Sequence, residues 1–454
     1  MPVWALMSMR AMADRAPESL VFRRALGRDL PTVARGEGAV LWDRGGKRYL
    51  DGSGGAVVVN VGHGRGEVAQ AMSRQAAAAA YVHGTQFTSD VLEEYARRLA
   101  PHAPGDCRKL YLVSGGSEAN ETAVKLARAY QVAIGASSRH KVIGRSVSYH
   151  GSTLATLALS GRPTLQAAYA PMLTPHPRAM APFCYHCPLG TSYPICGVAC
   201  VEDLEAVIRR EGPDTVAAYI AEPVLGASAG AAVPPEEYAA RAAEICRRHG
   251  VLYLDDEVMT GFGRTGKWFG IEWSGAAPDI VTCGKGMSGG YMPVGGVLAS
   301  ERVVAAVERA GGFVHGYTFS HHPVTAAACL AVLDILERED LVERSRRLGE
   351  AALLRMEALR RHPHVGDVRG RGLMLGLELV ADKDARRPFP RAEKRAEALA
   401  AACFEGGLVT YPSAGAATGA DGDVVMLAPP FVVTEEQLVE MVDVLDRSLD
   451  ALGL

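Results

Sequence analysis

Residues 278–296 read PDIVTCGKGMSGGYMPVGG: a short apolar run that leads to Lys285, a lysine set between two glycines. Four similar runs come earlier in the chain, at 110–113, 142–147, 216–221 and 251–254. Short runs rich in Val, Ile, Leu or Tyr are typical of buried parallel strands, and the helical stretches between them indicate right-handed crossovers. Residues 66–325 are therefore predicted to form one large α/β domain.

The two ends of the chain have a different pattern. Residues 38–50, GAVLWDRGGKRYL, predict a β-hairpin within an N-terminal segment, 1–65, that we expect to pack with the small domain. Beyond the large domain the pattern predicts helices at 324–338, 340–361 and 391–406 and one strand at 369–380. A capping box formed by Thr434 and Gln437 predicts a final amphipathic helix. Residues 326–454 are therefore expected to form a smaller α+β C-terminal domain.

Composition excludes several classes of protein. Of the 454 residues 48% are hydrophobic and 22% are charged, which excludes a disordered chain. The 48 Lys and Arg nearly balance the 51 Asp and Glu, and the net charge of -3 argues against a general nucleic-acid binder. The chain has no apolar run of about 18 residues and no sustained apolar leader, so neither a membrane span nor a signal peptide is predicted. Nine cysteines read as reduced thiols, and we expect a cytoplasmic protein.

Glycine-rich and aromatic motifs follow the first two predicted strands of the large domain, at the edge where open parallel sheets bind ligands. After the first strand comes SGGSEANE, in which Gly116 and Ser117 open a helix. The free N–H groups of such a helix end fit a phosphate, although an ordinary glycine-rich turn has the same sequence pattern. After the second strand come Tyr149 and His150. A flat aromatic ring at this position either stacks on a planar cofactor or packs within the protein.

Charged groups follow the next three strands. Glu222 comes after the third strand, and Asp255-Asp256-Glu257 after the fourth. Adjacent acids beside a buried strand are costly without a positive partner, so the run indicates a metal site, a protonated ring nitrogen or a solvated turn. Lys285 follows the fifth strand. Partial desolvation would lower its pKa and make the neutral amine a nucleophile, whereas an ion-paired lysine would have no such role.

These residues together supply the parts of a pyridoxal phosphate (PLP) site: a Schiff-base lysine, a carboxylate for the pyridinium nitrogen, an aromatic face and a phosphate anchor. The chain also resembles the class III (ornithine- or omega-type) aminotransferases of fold type I over nearly its whole length. The resemblance is carried by LDGSGG (50–55), NVGHG (60–64), SGGSEANETAVKLAR (114–128), YHGST (149–153), AEPVLG (221–226), LDDEVMTGFGRTGKWFG (254–270), PDIVTCGKGMSGGYMPVGG (278–296), GYTFSHHP (316–323) and RGRGLMLGLEL (369–379). The succession of DEV, TGFGRTG and GKG is its most specific part.

The resemblance implies a fold-type I PLP-transferase with a large, mostly parallel seven-stranded sheet domain and a smaller α+β domain. It implies a ping-pong transaminase that moves an amino group from an amine or amino acid to a keto acid of the pyruvate or 2-oxoglutarate class. Lys285 would be the catalytic Schiff-base lysine, and Asp256 would pair with the pyridinium nitrogen. The other cofactor-binding residues implied are Gly116, Ser117, Tyr149, His150, Glu222, Val258 and Thr318. Thr318 would reach the phosphate of the neighbouring subunit, so we expect a homodimer with shared sites, in which a tetramer is left open.

Substrate recognition is where the sequence departs from its relatives. Val57, Phe87 and Tyr149 are the expected substrate-binding residues. Many relatives hold a substrate carboxylate with an arginine in the small-domain loop before a Pro-Pro pair, but the loop here, TYPSAGAATG (410–419), contains none. The carboxylate must then be held from elsewhere, or the donor lacks one. Because Val57 stands near where many omega-type relatives have a bulky aromatic residue, we expect a roomier and more apolar pocket.

Four cysteines cluster in the sequence at Cys184, Cys187, Cys196 and Cys200. Four thiolates are able to bind Zn²⁺ tetrahedrally. The eight-residue spacer between the two pairs is tight, however, and so large a domain needs no metal in order to fold. We therefore interpret the segment as a surface insertion with reduced thiols and expect no metal ligands.

Other functions stay open at the level of sequence. A fold-type I aminomutase or a decarboxylating transaminase would share Lys285 and Asp256, and product analysis separates them from a transaminase. A non-catalytic PLP-binding regulator normally carries a fused DNA-binding module, but the sequence has neither helix-turn-helix text nor a basic charge excess. A metal-dependent hydrolase built on the acid run would be colourless, whereas a PLP enzyme is yellow.

Overall fold

The computed structural model describes residues 20–24 and 29–454. Its strands are β1 (Val33–Glu37), β2 (Val40–Asp43), β3 (Arg48–Asp51), β4 (Lys109–Val113), β5 (Lys141–Arg145), β6 (Arg178–Ala179), β7 (Val216–Ala221), β8 (Leu252–Asp256), β9 (Ile280–Gly284), β10 (Gly295–Ala299), β11 (Val365–Arg371), β12 (Met374–Asp382), β13 (Arg387–Pro388), β14 (Leu408–Val409), β15 (Tyr411–Ala414) and β16 (Asp423–Leu427). The helices of nine or more residues in the described chain are Gly66–Ala78, Asp90–Leu99, Gly116–Ala133, Glu202–Glu211, Glu237–His249, Glu301–Arg309, Pro323–Arg338, Leu341–Glu357, Arg395–Glu405 and Glu435–Leu452.

A seven-stranded sheet with the order β4-β10-β9-β8-β7-β5-β6 forms the centre of the molecule. Strands β5 to β9 pair in parallel, and β10 runs antiparallel to both of its neighbours. The five predicted runs are strands β4, β5, β7, β8 and β9, and the fold-type I α/β class is confirmed. Strand β10 was outside the prediction because its sequence, GGVLA, begins with two glycines, which usually weaken a strand.

One helix begins at the edge of the sheet where the parallel strands end, beside the loops that are predicted to bind ligands. The helix Gly116–Ala133 packs on β9 and β10 through Ala119, Ala123 and Ala127, which are fully buried at every fourth position. Alanine side chains let the helix lie close to the sheet, so its N-terminus is fixed at the edge where the parallel strands end.

The N-terminal strands form a separate small sheet. Strands β2 and β3 form the hairpin predicted at 38–50, and β1 extends it antiparallel. On the other side β3 pairs in parallel with β14, so that Leu50 lies beside Leu408. The N-terminal sheet is therefore joined by backbone hydrogen bonds to the C-terminal part of the chain. Of the predicted 1–65 segment, residues 1–19 and 25–28 lie outside the described residues. The boundaries between the three predicted segments stay predictions.

The C-terminal part combines helices with the antiparallel sheet β11-β12-β16-β15. The single strand predicted at 369–380 is wrong, because the chain reverses there into a hairpin of β11 and β12. The reversal passes through Gly372, which has φ +55 and no space for a side chain: a Cβ would lie 2.4 Å from the Thr265 carbonyl carbon. The glycines that looked like punctuation within one strand therefore mark a turn between two.

The last helix begins as predicted. The Thr434 hydroxyl accepts a hydrogen bond from the Gln437 backbone N–H at 3.2 Å, and the Gln437 side chain accepts one from the Thr434 N–H at 3.0 Å. These two bonds are the reciprocal pair of a capping box, so the prediction is confirmed. Within the described part of the chain, no helix is long and apolar enough to cross a membrane.

Candidate active site

A cavity of about 470 Å³ lies at the carboxyl ends of the central strands. Eight of the predicted site residues line it: Gly116, Ser117, Tyr149, His150, Glu222, Asp256, Val258 and Lys285. They follow five different strands of the sheet, far apart in sequence. Parallel packing of the strands is what brings them to one edge.

Lys285 is partly buried and lies directly after β9, in a left-handed conformation with φ +44. The pKa of its ammonium is lowered from the usual 10.5 to about 8. Burial is the main cause because it penalises the charged form; the Asp256 carboxylate opposes this effect, and the Arg264 guanidinium adds to it. About a tenth of the amine is therefore neutral, and nucleophilic, at pH 7, compared with less than about a thousandth for an ordinary lysine.

Asp256 is only 3% exposed, and its carboxylate is held in place by several donors. Its Oδ2 accepts hydrogen bonds from His150 Nδ1 at 2.7 Å and from Asn120 Nδ2 at 2.9 Å, while Oδ1 accepts one from the Val258 N–H at 3.1 Å. Asn120 is itself oriented by the Thr282 hydroxyl, which donates to its Oδ1 at 2.7 Å. These bonds fix the position of the carboxylate at the cavity wall.

The start of the helix Gly116–Ala133 lies at another side of the cavity. Its N-cap is Gly115, and no side chain of the described residues caps its first turn. A Cβ on Gly116 would lie 2.7 Å from Cγ1 of Val258, so only glycine allows the backbone to pass there. Ser117 Oγ accepts the Ser152 N–H at 3.0 Å, which orients the hydroxyl. Free N–H groups at the positive end of an 18-residue helix form a site suited to an anion.

Tyr149 is partly buried at the cavity wall, and its hydroxyl is 2.8 Å from Ser152 Oγ. Its hydroxyl end is therefore anchored, and the side chain lines the same cavity as Val258. The arrangement leaves a flat aromatic group and a branched aliphatic group available to a planar ligand.

Only the middle residue of the Asp255-Asp256-Glu257 run lines the cavity. Successive side chains of a strand point to opposite faces, and Asp255 and Glu257 are fully buried away from it. Burial, together with the charge of Glu257, raises the pKa of Asp255 well above its ordinary value, and burial raises that of Glu257 to about 7. The run is therefore not a solvated turn. Among residues 20–24 and 29–454, no group of three or more His, Cys, Asp or Glu is arranged to hold a metal.

Glu222 reaches the cavity from the end of β7 as half of a buried ion pair. Its Oε2 lies 3.2 Å from Arg145 Nη2, and Arg145 is only 1% exposed. Burial raises the pKa of the Glu222 carboxyl, whereas the charges of His150 and Arg145 oppose the rise.

Three predicted residues are not brought to the cavity by this chain. Val57 is buried with φ +60, but its neighbour Val58 is the residue that lines the cavity. Phe87 is 65% exposed, and Thr318 is exposed, with its carbonyl accepting the Tyr81 hydroxyl at 2.8 Å. The role predicted for Thr318 is toward a neighbouring subunit, so its position in one chain does not decide it. The roles of all three stay predictions.

The four clustered cysteines lie in a different place. They line a small separate void between the loop 184–200 and its neighbours, and Cys184 is exposed. Burial and the surrounding thiols raise the pKa of Cys200 to about 11, so this thiol is protonated at neutral pH.

The comparisons with known proteins agree with this geometry. The family model described as aminotransferase class-III matches residues 25–449. The chain belongs to the class III aminotransferases. It is 41% identical to a probable aminotransferase of Mycobacterium tuberculosis over 416 residues, covering 90% of this chain and 87% of the relative. It is 35% identical to the putrescine–pyruvate aminotransferase of Pseudomonas aeruginosa over 421 residues, covering 92% and 90%.

A solved structure is similar to this class III aminotransferase over nearly its whole length. It is an amine transaminase from an uncultivated Pseudomonas species in a PLP-bound form, with 34% identity, a TM-score of 0.88 and coverage of 97% of this chain and 99% of that one. The predicted membership of the family is confirmed, and the protein is an enzyme of the transaminase class, EC 2.6.1.

Sequence reasoning missed Asn120, which donates to Asp256, and Thr282, which orients Asn120. Asn120 lies in the quoted motif SGGSEANE but reads as an ordinary helical residue, and Thr282 lies inside β9. The available signal for Asn120 was its polar side chain, because several of the other buried residues of this helix are alanines. Nothing in the sequence singles out Thr282.

Proposed function

We propose that this transaminase uses PLP bound in the strand-end cavity to move an amino group from an amine or amino acid donor to a keto acid of the pyruvate or 2-oxoglutarate class. The proposal depends above all on one observation: Lys285, with a pKa of about 8, and the ordered carboxylate of Asp256 line the same cavity. Two similar proteins support it: one is a putrescine–pyruvate aminotransferase, and one solved amine transaminase is PLP-bound.

The residues present fit this cofactor. The uncapped helix end at Gly116 and Ser117 would hold the phosphate. Because Gly116 has no side chain to meet Val258, its backbone is free to approach the phosphate. Asp256 would accept a hydrogen bond from the ring nitrogen, and Lys285 would bind the cofactor covalently. When bound, PLP supplies an electron sink for the carbon that bears the amine.

The protein's own groups would then divide the remaining work. The bonds from His150 and Asn120 hold the Asp256 carboxylate in place, and a carboxylate beside the ring nitrogen favours its protonated form. Lys285 Nζ, released as a neutral amine, would take the proton from the amine-bearing carbon of the donor and deliver it to C4′ of the cofactor. Tyr149 and Val258 would flank the ring.

We also propose a cytoplasmic homodimer with shared active sites. Apolar side chains lie exposed around Thr318: Tyr81 is 41%, Val314 95% and Phe319 57% exposed in the single chain. A second copy that covers them would bring Thr318 toward the neighbouring site. Light scattering after size exclusion tests the dimer, and Thr318→Ala is expected to weaken PLP binding if the threonine reaches the partner's phosphate. Its cytoplasmic location rests on the sequence.

A donor panel tests the reaction itself. The PLP-loaded enzyme is mixed with amines and amino acids, and then with pyruvate or 2-oxoglutarate, while the cofactor absorbance and the products are followed. Reversible bleaching by a donor, recovery with a keto acid and one amino group transferred per cycle are expected. Carbon dioxide release or a positional isomer of the donor would instead support a decarboxylating transaminase or an aminomutase.

A further inference from the structure

Arg162 is a partly buried arginine that forms no ion pair with an acid in the described part of the chain. Burial lowers the pKa of its guanidinium, although Tyr411, Tyr149 and Glu222 partly oppose this. Among residues 20–24 and 29–454, its one short bond is to the Ala414 carbonyl, at 2.7 Å; the contacts with the Ala227 carbonyl and Ser413 Oγ are 3.4 and 3.5 Å long. A buried cation with long, neutral contacts is costly, and an anionic ligand would offset that cost.

The position of Arg162 connects this cation to the cavity. Ala227, whose carbonyl it contacts, lines the cavity, as do Tyr149 and Glu222. Arg162 lies next to this lining rather than in it, and the cationic or titratable nitrogen groups of the lining itself are Lys285 and His150, which the proposed function assigns to the cofactor. A negatively charged part of a substrate therefore has Arg162 as its available partner.

Two buried arginines, Arg145 and Arg264, make shorter contacts than Arg162 does. Arg145 is paired with Glu222 at 3.2 Å. Arg264 donates to three backbone carbonyls at 2.7 to 2.9 Å and stacks over Phe431. Both arginines make these contacts at 3.2 Å or less, whereas Arg162 holds two of its three contacts at 3.4 and 3.5 Å, the limit of hydrogen-bond distance.

The backbone around Arg162 is fixed even though its head group is not. A Cβ on Gly161 would lie 2.4 Å from the carbonyl oxygens of Arg145 and Ser146, so the chain lies tightly against the end of β5. One residue earlier, Ser160 Oγ accepts the backbone N–H of His150 at 2.8 Å, which ties the loop to the cavity wall. The guanidinium thus extends from a rigid base to the small-domain strand Tyr411–Ala414.

From this geometry we infer that Arg162 binds the carboxylate of the amino acid donor or keto acid acceptor, and so replaces the arginine that the small-domain loop lacks. The guanidinium would exchange its long contacts with Ala227 and Ser413 for a bidentate pair with the carboxylate. With a donor that has no carboxylate, it stays on the Ala414 carbonyl. The inference rests on the proposed transamination, since it assigns the substrate class of that same site.

The test compares two donors that differ in one group. Alanine and isopropylamine share their skeleton, with a carboxylate in one and a methyl group in the other. Arg162→Met is expected to raise the alanine concentration for half-maximal conversion of the bound cofactor by about tenfold or more, and that for isopropylamine by less than about twofold. Arg162→Lys keeps the charge without the bidentate geometry and should lose several-fold on alanine alone.

Arg178→Met is the matched control. Arg178 is also partly buried and has no acidic partner within the part of the chain that the structure describes, but it donates to the carbonyls of Ala158 and Leu159, which do not line the cavity. Its removal should leave the preference between alanine and isopropylamine unchanged. An equal loss on both donors in Arg162→Met, or the same change of preference in Arg178→Met, would overturn the assignment.

A binding measurement keeps this inference separate from the proposed reaction. Isobutyrate carries the carboxylate but no amine, so its affinity for the PLP-loaded protein can be measured by calorimetry without turnover. We expect about tenfold weaker binding to Arg162→Met, and a smaller loss in Arg162→Lys if the Met variant fails to fold. If wild type converts none of the donors in the panel, the proposed function fails while isobutyrate still decides the role of Arg162. Equal affinity in both proteins, or none in wild type, would refute it.

Discussion

The two ends of the cavity are built differently. At the cofactor end, Asp256 is held by three short hydrogen bonds, and Gly116 lies at a helix start fixed by the packing of alanines on the sheet. At the substrate end, Arg162 makes one short bond and two long ones to residues of loops and of an edge strand. The first region is rigid because the core fixes it, whereas the contacts of the second are able to exchange. We therefore expect the first region to determine the type of reaction and the second to determine which substrates bind.

The largest effect is expected from Lys285→Ala. Without a nucleophilic amine the cofactor loses its covalent attachment and the reaction its proton carrier, so the rate with alanine and pyruvate should fall by about 10³-fold or more. The loss should be equal for donors with and without a carboxylate. Lys267→Ala, at an exposed lysine over Trp273, is the control and should keep the wild-type rate.

The next largest effect is expected from Asp256→Asn, about 10²-fold or more on turnover, because an amide does not favour a protonated ring nitrogen. Asp255→Asn is the matched variant. Burial and the neighbouring Glu257 raise the pKa of Asp255 well above its ordinary value, so its amide replaces a carboxyl group that disfavours its charged form and lies outside the cavity. Rates and the cofactor spectrum should therefore change little. Comparable losses in both variants would mean that the acid run acts as a unit.

The pH dependence of cofactor binding tests the electrostatics of Lys285. Its pKa is lowered to about 8, so the neutral amine is scarce below that pH and dominant above it. The rate at which apoprotein forms the bound chromophore with excess PLP should rise up to about tenfold per pH unit below pH 8, and level off above it. Levelling near the ordinary lysine value of 10.5 would show that burial does not act on this group.

A smaller effect is expected from Gly116→Ala. The added Cβ would meet Val258 Cγ1 at 2.7 Å, so the helix end should shift and PLP should bind roughly tenfold more weakly, by spectroscopic titration. The double variant Gly116→Ala/Val258→Ala removes the clash and should recover part of that affinity. No recovery would place the cause elsewhere than in this contact. The preference between alanine and isopropylamine should stay unchanged, because Arg162 is untouched.

Sequence predicted the cofactor end better than the substrate end for a physical reason. Residues such as Lys285 and Asp256 directly follow apolar strands, and strand periodicity alone places them at one edge. Arg162 depends instead on Ala414, 252 residues away in the chain, and no local pattern reveals such a contact. The glycine-rich strand β10 and the hairpin turn at Gly372 were missed because their glycines serve close packing and chain reversal rather than an alternating pattern.

The most direct test of the account is to find which lysine holds the cofactor. The PLP-loaded protein is treated with borohydride, which fixes the cofactor to its lysine, and then digested and mapped by mass spectrometry. The account predicts a phosphopyridoxyl group on Lys285 and on none of the other seven lysines, and its absence from Lys285→Ala. A label on another lysine, or an unlabelled protein that still transfers amino groups, would contradict it.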